Sequence, residues 1–157
     1  MVIGVACLLI QAVADVQKAR YRADPSNKGH WCDVGVWTWC RHPNFFGEIG
    51  FWWGIFLLVV PSALSNPTGF ATILSPLLTM AILLFLSGMP TAEGQNQARF
   101  LSTPTLAAEY NSYRNRTPPI IPFPSFLYSN LPLLAKRIFC CEFRMYEYQE
   151  EEHNISS

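Results

Sequence analysis

A short run of residues before the most apolar part of the chain carries side chains that bind anions. Arg41 and His42 directly precede Pro43, and proline suits the first turn of a helix because its missing N–H would have no intrahelical partner there. The two basic residues therefore lie at a helix N-terminus, where unpaired N–H groups and the helix dipole favour negative charge. We interpret this run as an anion site, with phosphate as the expected anion.

Two further polar side chains follow on the same predicted helix. Asn44 and Glu48 are four residues apart and therefore share one helix face. Gly47 lies beside that face and lets a ligand or another helix approach closely. A carboxamide and a carboxylate together can bind an amide-bearing ring such as nicotinamide, or the hydroxyls of a ribose. Alternatively, Glu48 pairs with Arg41 or extends its carboxylate to the membrane surface, and the spacing alone leaves both interpretations open.

A second polar group lies further along the chain. Residues 105–114 predict a helix on which Tyr110 and Arg114 are neighbours, with Tyr113 on the same stretch and Arg116 just after it. A pair of prolines ends this helix. A phenol and guanidinium groups could bind phosphate or stack on a base. The alternative, slightly favoured by the residue types alone, is a belt of aromatic and basic side chains that holds the chain at the lipid headgroups.

Long apolar stretches must position these groups. Phe45 to Leu64 contains one charge, Glu48, and Phe70 to Met89 contains none. Each stretch reaches about 30 Å as a helix, which is the hydrocarbon thickness of a bilayer, and each is apolar around its whole circumference. Met1 to Ala14 is a shorter apolar run without the basic start of a signal peptide. We predict an all-α, polytopic membrane bundle of about three transmembrane helices, with short cytosolic helices and an irregular C-terminal tail, rather than a soluble α-helical bundle.

Charge is scarce in this sequence and unevenly distributed. The 157 residues include 11 Lys or Arg and 11 Asp or Glu, so the net charge is zero and the charged share is 14%. This composition excludes a disordered chain, a coiled coil and a typical nucleic-acid-binding protein. Basic residues occur in 15–44 and after Pro90, whereas the turn 65–69 has no charge. The positive-inside rule then places both basic segments and the C-terminus in the cytosol, and we expect an integral membrane protein of the endoplasmic reticulum.

The run from Arg41 to Glu48 is part of a longer ordered pattern. ADVQ begins at Ala14, Arg22 and DPSNKG follow, and Gly-Val-Trp then precedes RHPNFFGE. This pattern closely resembles the C-terminal half of the steroid 5-alpha-reductase family, most of all a broad branch of uncharacterised membrane proteins with ADxQ…R…DPxNxG…GLWxxxRHPNYFGE. The resemblance continues through an SG-x-P…E segment, which ends at Glu93, and through Y-x-x-Y and Ile-Pro-Phe. The segment after Glu93 departs from the family's charged helix, so this residue is left unassigned.

The resemblance implies an NADPH-dependent membrane oxidoreductase that acts on the CH–CH group and reduces a C=C bond of an enone-type lipid or steroid-like substrate. It also implies that the helical bundle encloses the cofactor on the cytosolic side. The expected cofactor contacts are Asp15, Arg22, Arg41, His42, Asn44, Glu48, Tyr113 and Arg116, with Gln11 and Arg114 as weaker candidates. No catalytic residue is assigned, because the family supplies its acid from N-terminal helices that this chain lacks. Those helices, or a partner subunit, would complete the enzyme.

Two other functions stay open. A phospholipid or isoprenylcysteine methyltransferase also has Arg-His-Pro before an apolar helix and binds S-adenosylmethionine there, although such enzymes generally lack the Asn-x-x-Gly-Glu continuation. The chain could also be an inactive, truncated fragment. In either case we expect contact with membrane lipids, no nucleic acid and no metal, since the five cysteines lack zinc-ligand spacing and are expected to be reduced thiols.

We assign residues 1–125 to the membrane domain and 126–157 to a cytosolic tail that is partly disordered.

Overall fold

Helices account for all the regular secondary structure that a computed structural model of the protein describes, which covers residues 1–146. There are no strands in this part of the chain. Its α-helices are α1 (Val2–Ala23), α2 (Pro43–Ser65), α3 (Leu74–Ala81), α4 (Met89–Leu101), α5 (Pro104–Arg116), α6 (Ser125–Asn130) and α7 (Leu133–Cys140). Three helical stretches are long and apolar enough to cross a membrane, namely Val2–Ala23, Pro43–Ser65 and Pro67–Leu101. The predicted fold class is confirmed.

The first helix is longer than its apolar run predicts. We expected a span that ends at Ala14, but α1 continues to Ala23. The reason is that residues 15–23 contain neither glycine nor proline, so nothing in them breaks a helix. Arg20 and Arg22 lie in the last turn, where the helix dipole favours positive charge. One helix therefore joins an apolar half to a charged half.

Small residues let α1 and α2 pack backbone against backbone. A Cβ atom on Gly54 would lie 2.6 Å from the Cα atom of Gly4, and one on Gly47 would lie 2.7 Å from the carbonyl oxygen of Cys7. The same Cβ on Gly47 would lie 2.8 Å from the backbone nitrogen of Gln11. We call this contact the glycine seam. Close approach through small residues is a common way for membrane helices to associate, and here it brings the charged half of α1 beside the start of α2.

The third apolar stretch is not one regular helix. A 3₁₀ segment at Pro67–Ile73 leads into α3, a π-helical turn follows at Ile82–Leu86, and α4 begins at Met89. A Cβ atom on Gly88 would lie 2.5 Å from the carbonyl oxygen of Leu83, so only glycine fits between the π-turn and α4. The predicted span from Phe70 to Met89 therefore ends at this irregular turn, and the polar residues that follow it belong to α4.

The C-terminal part of the described chain is ordered onto the bundle. The helix predicted over 105–114 is confirmed as α5, and it ends where Thr117, before a proline, is extended with φ −120° and ψ 115°. The predicted tail 126–157 contains nearly all of α6 and the whole of α7 in its described part. Tyr146, 1% exposed, packs in a core cluster with Leu84, Met89 and Ile120. The acidic stretch from residue 147 onward, which we predicted to be disordered, lies outside the described residues.

Candidate functional site

The DPSNKG run forms a tight turn at the end of α1. The Asp24 side chain accepts hydrogen bonds from the backbone N–H and the hydroxyl of Ser26, at 2.9 and 2.8 Å. The Asn27 amide donates to the carbonyl oxygen of Tyr21 at 3.1 Å, and Gly29 has φ +93°, which favours glycine. Such side-chain bonds to nearby backbone are typical of turns. The turn reverses the chain, so that Cys32 packs in one cluster with Ala14 and Tyr21 of α1.

A second turn, Gly35–Thr38, is fastened to α1 by the ADVQ run. The Val36 N–H donates to the Gln17 side chain at 3.0 Å, and the indole N–H of Trp37 donates to the carbonyl oxygen of Ala14 at 2.9 Å. The ammonium of Lys18 lies 4.5 Å from the centre of the Trp37 ring, which is a cation–π distance. These bonds fix Trp37, only 2% exposed, against the charged half of α1.

Four aromatic rings join the loop after α1 to α4 and α5. Trp31 lies 5.5 Å from Phe100 and 5.2 Å from Tyr110, measured between ring centres. Phe100 lies 4.9 Å from Tyr110, and Tyr113 lies 5.7 Å from Trp31. Aromatic pairs at these distances stabilise contacts beyond the area they bury. The Tyr113 hydroxyl also donates to the carbonyl oxygen of Trp37 at 3.3 Å, which ties the ring cluster to the Gly35–Thr38 turn.

These turns and rings enclose a cavity of about 410 Å³ at the charged end of the bundle. We call it the basic cavity, because five of its lining residues are cationic and, of the described residues that line it, only Glu93 is acidic. The cationic residues are Lys18, Arg22, Lys28, Arg41 and Arg99. The aromatic lining comprises Trp31, Trp37, Phe100, Tyr110 and Tyr113. The volume is within the range of small-molecule sites, and the lining suits a ligand that carries both negative charge and flat rings.

A buried ion network supports the basic cavity from one side. Glu93 is fully buried, and its Oε1 lies 3.1 Å from Nε of Arg41 and 2.8 Å from Nε2 of His42. Its Oε2 lies 3.9 Å from Nε of Arg114 and makes no hydrogen bond. Nη2 of Arg41 contacts both carboxylate oxygens of Glu142, at 2.9 and 3.1 Å. Two carboxylates thus face two guanidinium groups, which is the pairing that buried charges need.

The protonation states follow from burial and from these neighbours. Burial lowers the pKa of His42, and the bond to Glu93 offsets this only in part. The imidazole is therefore neutral at pH 7, and we assign its Nε2–H as the donor to Glu93. Burial also disfavours the charged form of Arg41, but Glu93 and Glu142 outweigh it and raise the pKa of that guanidinium. Burial raises the pKa of Tyr110 and of Tyr113, so both phenols keep their protons.

Half of the predicted cofactor contacts come together at this end of the molecule. Arg22, Arg41 and Tyr113 line the basic cavity, and His42 is buried against Glu93. The weaker candidate Arg114 belongs to the ion network. The charged end of α1, the loop before α2 and helix α5 therefore converge on one site, although they are far apart in the sequence.

The other predicted contacts lie elsewhere. Asp15 is exposed on α1, whereas Asn44 and Glu48 are partly buried on α2. The side-chain oxygen Oδ1 of Asn44 has no hydrogen-bond partner among the described residues. Arg116 is exposed and lies 3.9 Å from Asp33. None of these four predicted residues lines the basic cavity. Their roles as cofactor contacts stay predictions, because the structure does not place these residues at the basic cavity.

The hydrogen-bond donors at the start of α2 have partners other than the anion that the sequence predicts. The backbone N–H groups of Arg41 and His42 donate to the carbonyl oxygens of Pro118 and Pro119, at 2.8 and 3.0 Å. The Arg41 side chain contacts two carboxylates. The donors that we expected to bind an anion thus already have acceptors within the protein, and the anion-binding potential lies in the other cations of the basic cavity.

Several residues of the site were not predicted from the sequence. Lys18 lies four residues before the predicted contact Arg22 and shares its helix face, so the longer α1 would have indicated it. Lys28 follows the Asp24 turn, and Arg99 lies on α4 beyond the predicted span. Glu142 gives no local signal, because it lies 101 residues after Arg41, its partner.

All the residues that line the basic cavity fall in the part of the chain that matches one sequence family. Residues 1–117 match the model of the family described as Protein of unknown function (DUF1295). No curated protein and no solved structure matches the chain. The matched residues include α1 to α5 and both turns that wall the basic cavity, whereas Glu142 lies outside them. Because the match covers well over half of the sequence, the chain belongs to the DUF1295 family.

Proposed function

We propose that the basic cavity binds NADPH and that the chain is the cofactor-binding module of a membrane oxidoreductase. NADPH would supply a hydride to the C=C bond of an enone-type lipid or steroid-like substrate. The observation that carries this proposal is the excess of cations over carboxylates in a ring-lined cavity of about 410 Å³. The resemblance of ADVQ, DPSNKG and RHPNFFGE to the steroid 5-alpha-reductase family supports the same cofactor.

The charges that face the cavity fit the phosphates of NADPH. Arg41 is neutralised by Glu93 and Glu142, so it serves the framework rather than the ligand. Lys18, Arg22, Lys28 and Arg99 line the cavity and form no ion pair within the part of the chain that the structure describes. Lysine and arginine side chains are the usual partners of phosphate oxygens. Four such cations suit a dinucleotide with three phosphates.

The rings and the ion network give the rest of the site its proposed tasks. Trp31, partly exposed at the cavity, offers a flat surface on which an adenine or a nicotinamide could stack, and the buried rings of Phe100 and Tyr110 hold it in place. The Glu93 network holds the loop before α2 against α4 and α5, which keeps the cavity wall fixed. The Tyr110 phenol retains its proton because burial raises its pKa, so its hydroxyl is a hydrogen-bond donor at neutral pH.

The charge of the cavity also argues against the methyltransferase alternative. S-adenosylmethionine carries a cationic sulfonium and a single carboxylate. NADPH, in contrast, carries no positive charge, and its negative charges lie on its phosphates. The four cations, which form no ion pair among the described residues, would attract NADPH and disfavour S-adenosylmethionine. We propose further that the cavity faces the cytosol, that the membrane is the endoplasmic reticulum, and that helices preceding this chain or a partner subunit supply the substrate side.

The decisive experiment is a fluorescence titration of NADPH against the whole chain in lipid nanodiscs. We expect binding, and we expect Arg22→Gln to weaken it about tenfold, equivalent to about 1.4 kcal/mol. Arg20→Gln removes a charge from the same helix turn outside the cavity lining and should leave affinity within twofold. Glu48→Gln tests the predicted contact that does not line the cavity: weaker binding would support it, and unchanged affinity would assign Glu48 a structural role.

Three results would reject the proposal. Binding of labelled S-adenosylmethionine without binding of NADPH would establish the methyltransferase. Binding of neither ligand to protein that melts cooperatively would assign the chain as an inactive fragment. Equal losses in Arg22→Gln and Arg20→Gln would show that general attraction, rather than this cavity, accounts for the affinity.

A further inference from the structure

Helices α6 and α7 present a continuous set of apolar side chains that the protein leaves uncovered. Each of these side chains is between 46% and 69% exposed, and together they belong to 14 consecutive residues. They are Phe126, Leu127, Leu133, Leu134, Ile138 and Phe139. Scattered exposed apolar residues are ordinary, but a contiguous group of this size marks an interaction surface. We call it the α6–α7 face.

The opposite side of the two helices is tied to the bundle, so the orientation of the face is fixed. The Lys136 ammonium donates to the carbonyl oxygen of Asn115 at 3.3 Å and lies 4.4 Å from the centre of the Tyr128 ring. Tyr128, 1% exposed, donates its hydroxyl hydrogen to Glu142. Cys140 is completely buried. Lys136 and Tyr128 thus point inward while the six large apolar side chains of the face point outward, which is the reverse of a helix that faces water.

The residues directly after α7 place it beside a membrane-crossing stretch. The Phe143 ring stacks on Phe85 with 5.6 Å between ring centres, and the Tyr146 hydroxyl donates to the carbonyl oxygen of Leu84 at 2.9 Å. Leu84 and Phe85 both belong to the apolar stretch Pro67–Leu101. Phe85 and its neighbour Leu86 are themselves 48% and 69% exposed. The α6–α7 face is therefore next to surface that already has to face lipid.

We propose that α6 and α7 lie in the membrane surface, with the α6–α7 face inserted among the lipid acyl chains. The occupant is the bilayer itself, because the face is adjacent to the lipid-exposed side of a membrane-crossing stretch. The exposed Arg144, just after α7, would meet lipid phosphates, as basic residues do at membrane interfaces. Short amphipathic helices with this division of residues bind membranes in this way. The inference is independent of what the basic cavity binds.

Photocrosslinking tests which partner covers the face. The whole chain would carry p-benzoylphenylalanine in place of Leu134 or of Phe139, in nanodiscs of phosphatidylcholine, and products would be identified by mass spectrometry. We expect phospholipid adducts at both positions, at least fivefold above those at Glu109. Glu109 is the matched control because it is exposed on α5, a helix outside the membrane-crossing stretches and the α6–α7 face.

Each other outcome would overturn the proposal. Adducts mainly to a second copy of the chain would make the face a dimer interface. Lipid adducts no more frequent than at Glu109 would mean that the face does not contact the bilayer. Phe126, 69% exposed on α6, provides a replacement position if either variant fails to give a cooperative melting transition.

Discussion

The glycine seam and the basic cavity both involve α1, yet they are held together by opposite means. At the seam, Gly4 and Gly54 bring two backbones into contact without any side chain between them. At the cavity, Arg41, Glu93 and Glu142 join distant segments through buried charges. In lipid, packing of small residues suffices for association, whereas a site for a charged ligand needs cations held in fixed positions. The difference favours a structural role for the seam and supports the proposal that the cavity binds the cofactor.

The largest expected effect comes from the carboxylate of the ion network. Glu93→Ala leaves Arg41 and His42 without their shared acceptor, and breaking a buried ion pair costs about 3–5 kcal/mol. Thermal unfolding in detergent, followed by tryptophan fluorescence, should show a large fall in melting temperature together with loss of NADPH binding. Glu109→Ala removes an exposed carboxylate from α5 and should change little. Equal effects of the two substitutions would contradict the importance of the network.

An intermediate effect is expected at the seam. Gly54→Leu forces a side chain into a gap where even a Cβ atom would lie 2.6 Å from Gly4, and overpacking of this kind costs about 1–3 kcal/mol. We expect a lower melting temperature in the same assay but unchanged NADPH affinity in the folded fraction. Gly94→Ala is the control, because no atom lies within 4 Å of its added Cβ, and alanine in a helix should gain about 0.5–1 kcal/mol. If Gly54→Leu abolished NADPH binding, the division between seam and cavity would be wrong.

The smallest effect concerns the pH dependence of stability. Burial lowers the pKa of His42, which also faces Glu93, Arg41 and Lys18. Because the unfolded state then takes up a proton more readily than the folded state, the contribution of His42 is complete above the unfolded pKa of about 6.5 and is lost as the pH falls towards the folded pKa. The melting temperature should decrease between pH 7.5 and 5.5, and His42→Gln should flatten this decrease. An equally steep decrease in His42→Gln would assign the dependence to other groups.

Local patterns predicted the fold well because each depends on neighbouring residues only. The span over Phe45 to Leu64 and the helix over 105–114 correspond to α2 and α5, since apolar run length and proline positions determine both. The end of α1 was misplaced because hydropathy changes at Asp15 while helix propensity does not. The π-turn at Ile82–Leu86 gives no composition signal of its own.

The candidate site was predicted only in part because it depends on contacts between distant residues. Arg22 and Tyr113 were chosen through the resemblance, and both line the basic cavity. Asn44 and Glu48 share a helix face as predicted, but that face does not line the cavity, and no pattern along the chain indicates which way a helix face points. Glu93 was left unassigned because the sequence after it departs from the family pattern, yet it is the residue on which Arg41 and His42 converge.

The separation between Arg41 and Glu142 has a consequence for how the protein is made. These residues are 101 positions apart, and translation proceeds from the N-terminus at roughly 5–20 residues per second. The first two helices can therefore enter the membrane and close their seam several seconds before Glu142 leaves the ribosome. Until then, Arg41 lacks its contact with Glu142, and the nascent chain holds an incomplete ion network. Emergence of Glu142 from the ribosome is thus the event that completes the ion network, which makes its assembly a late step in biogenesis.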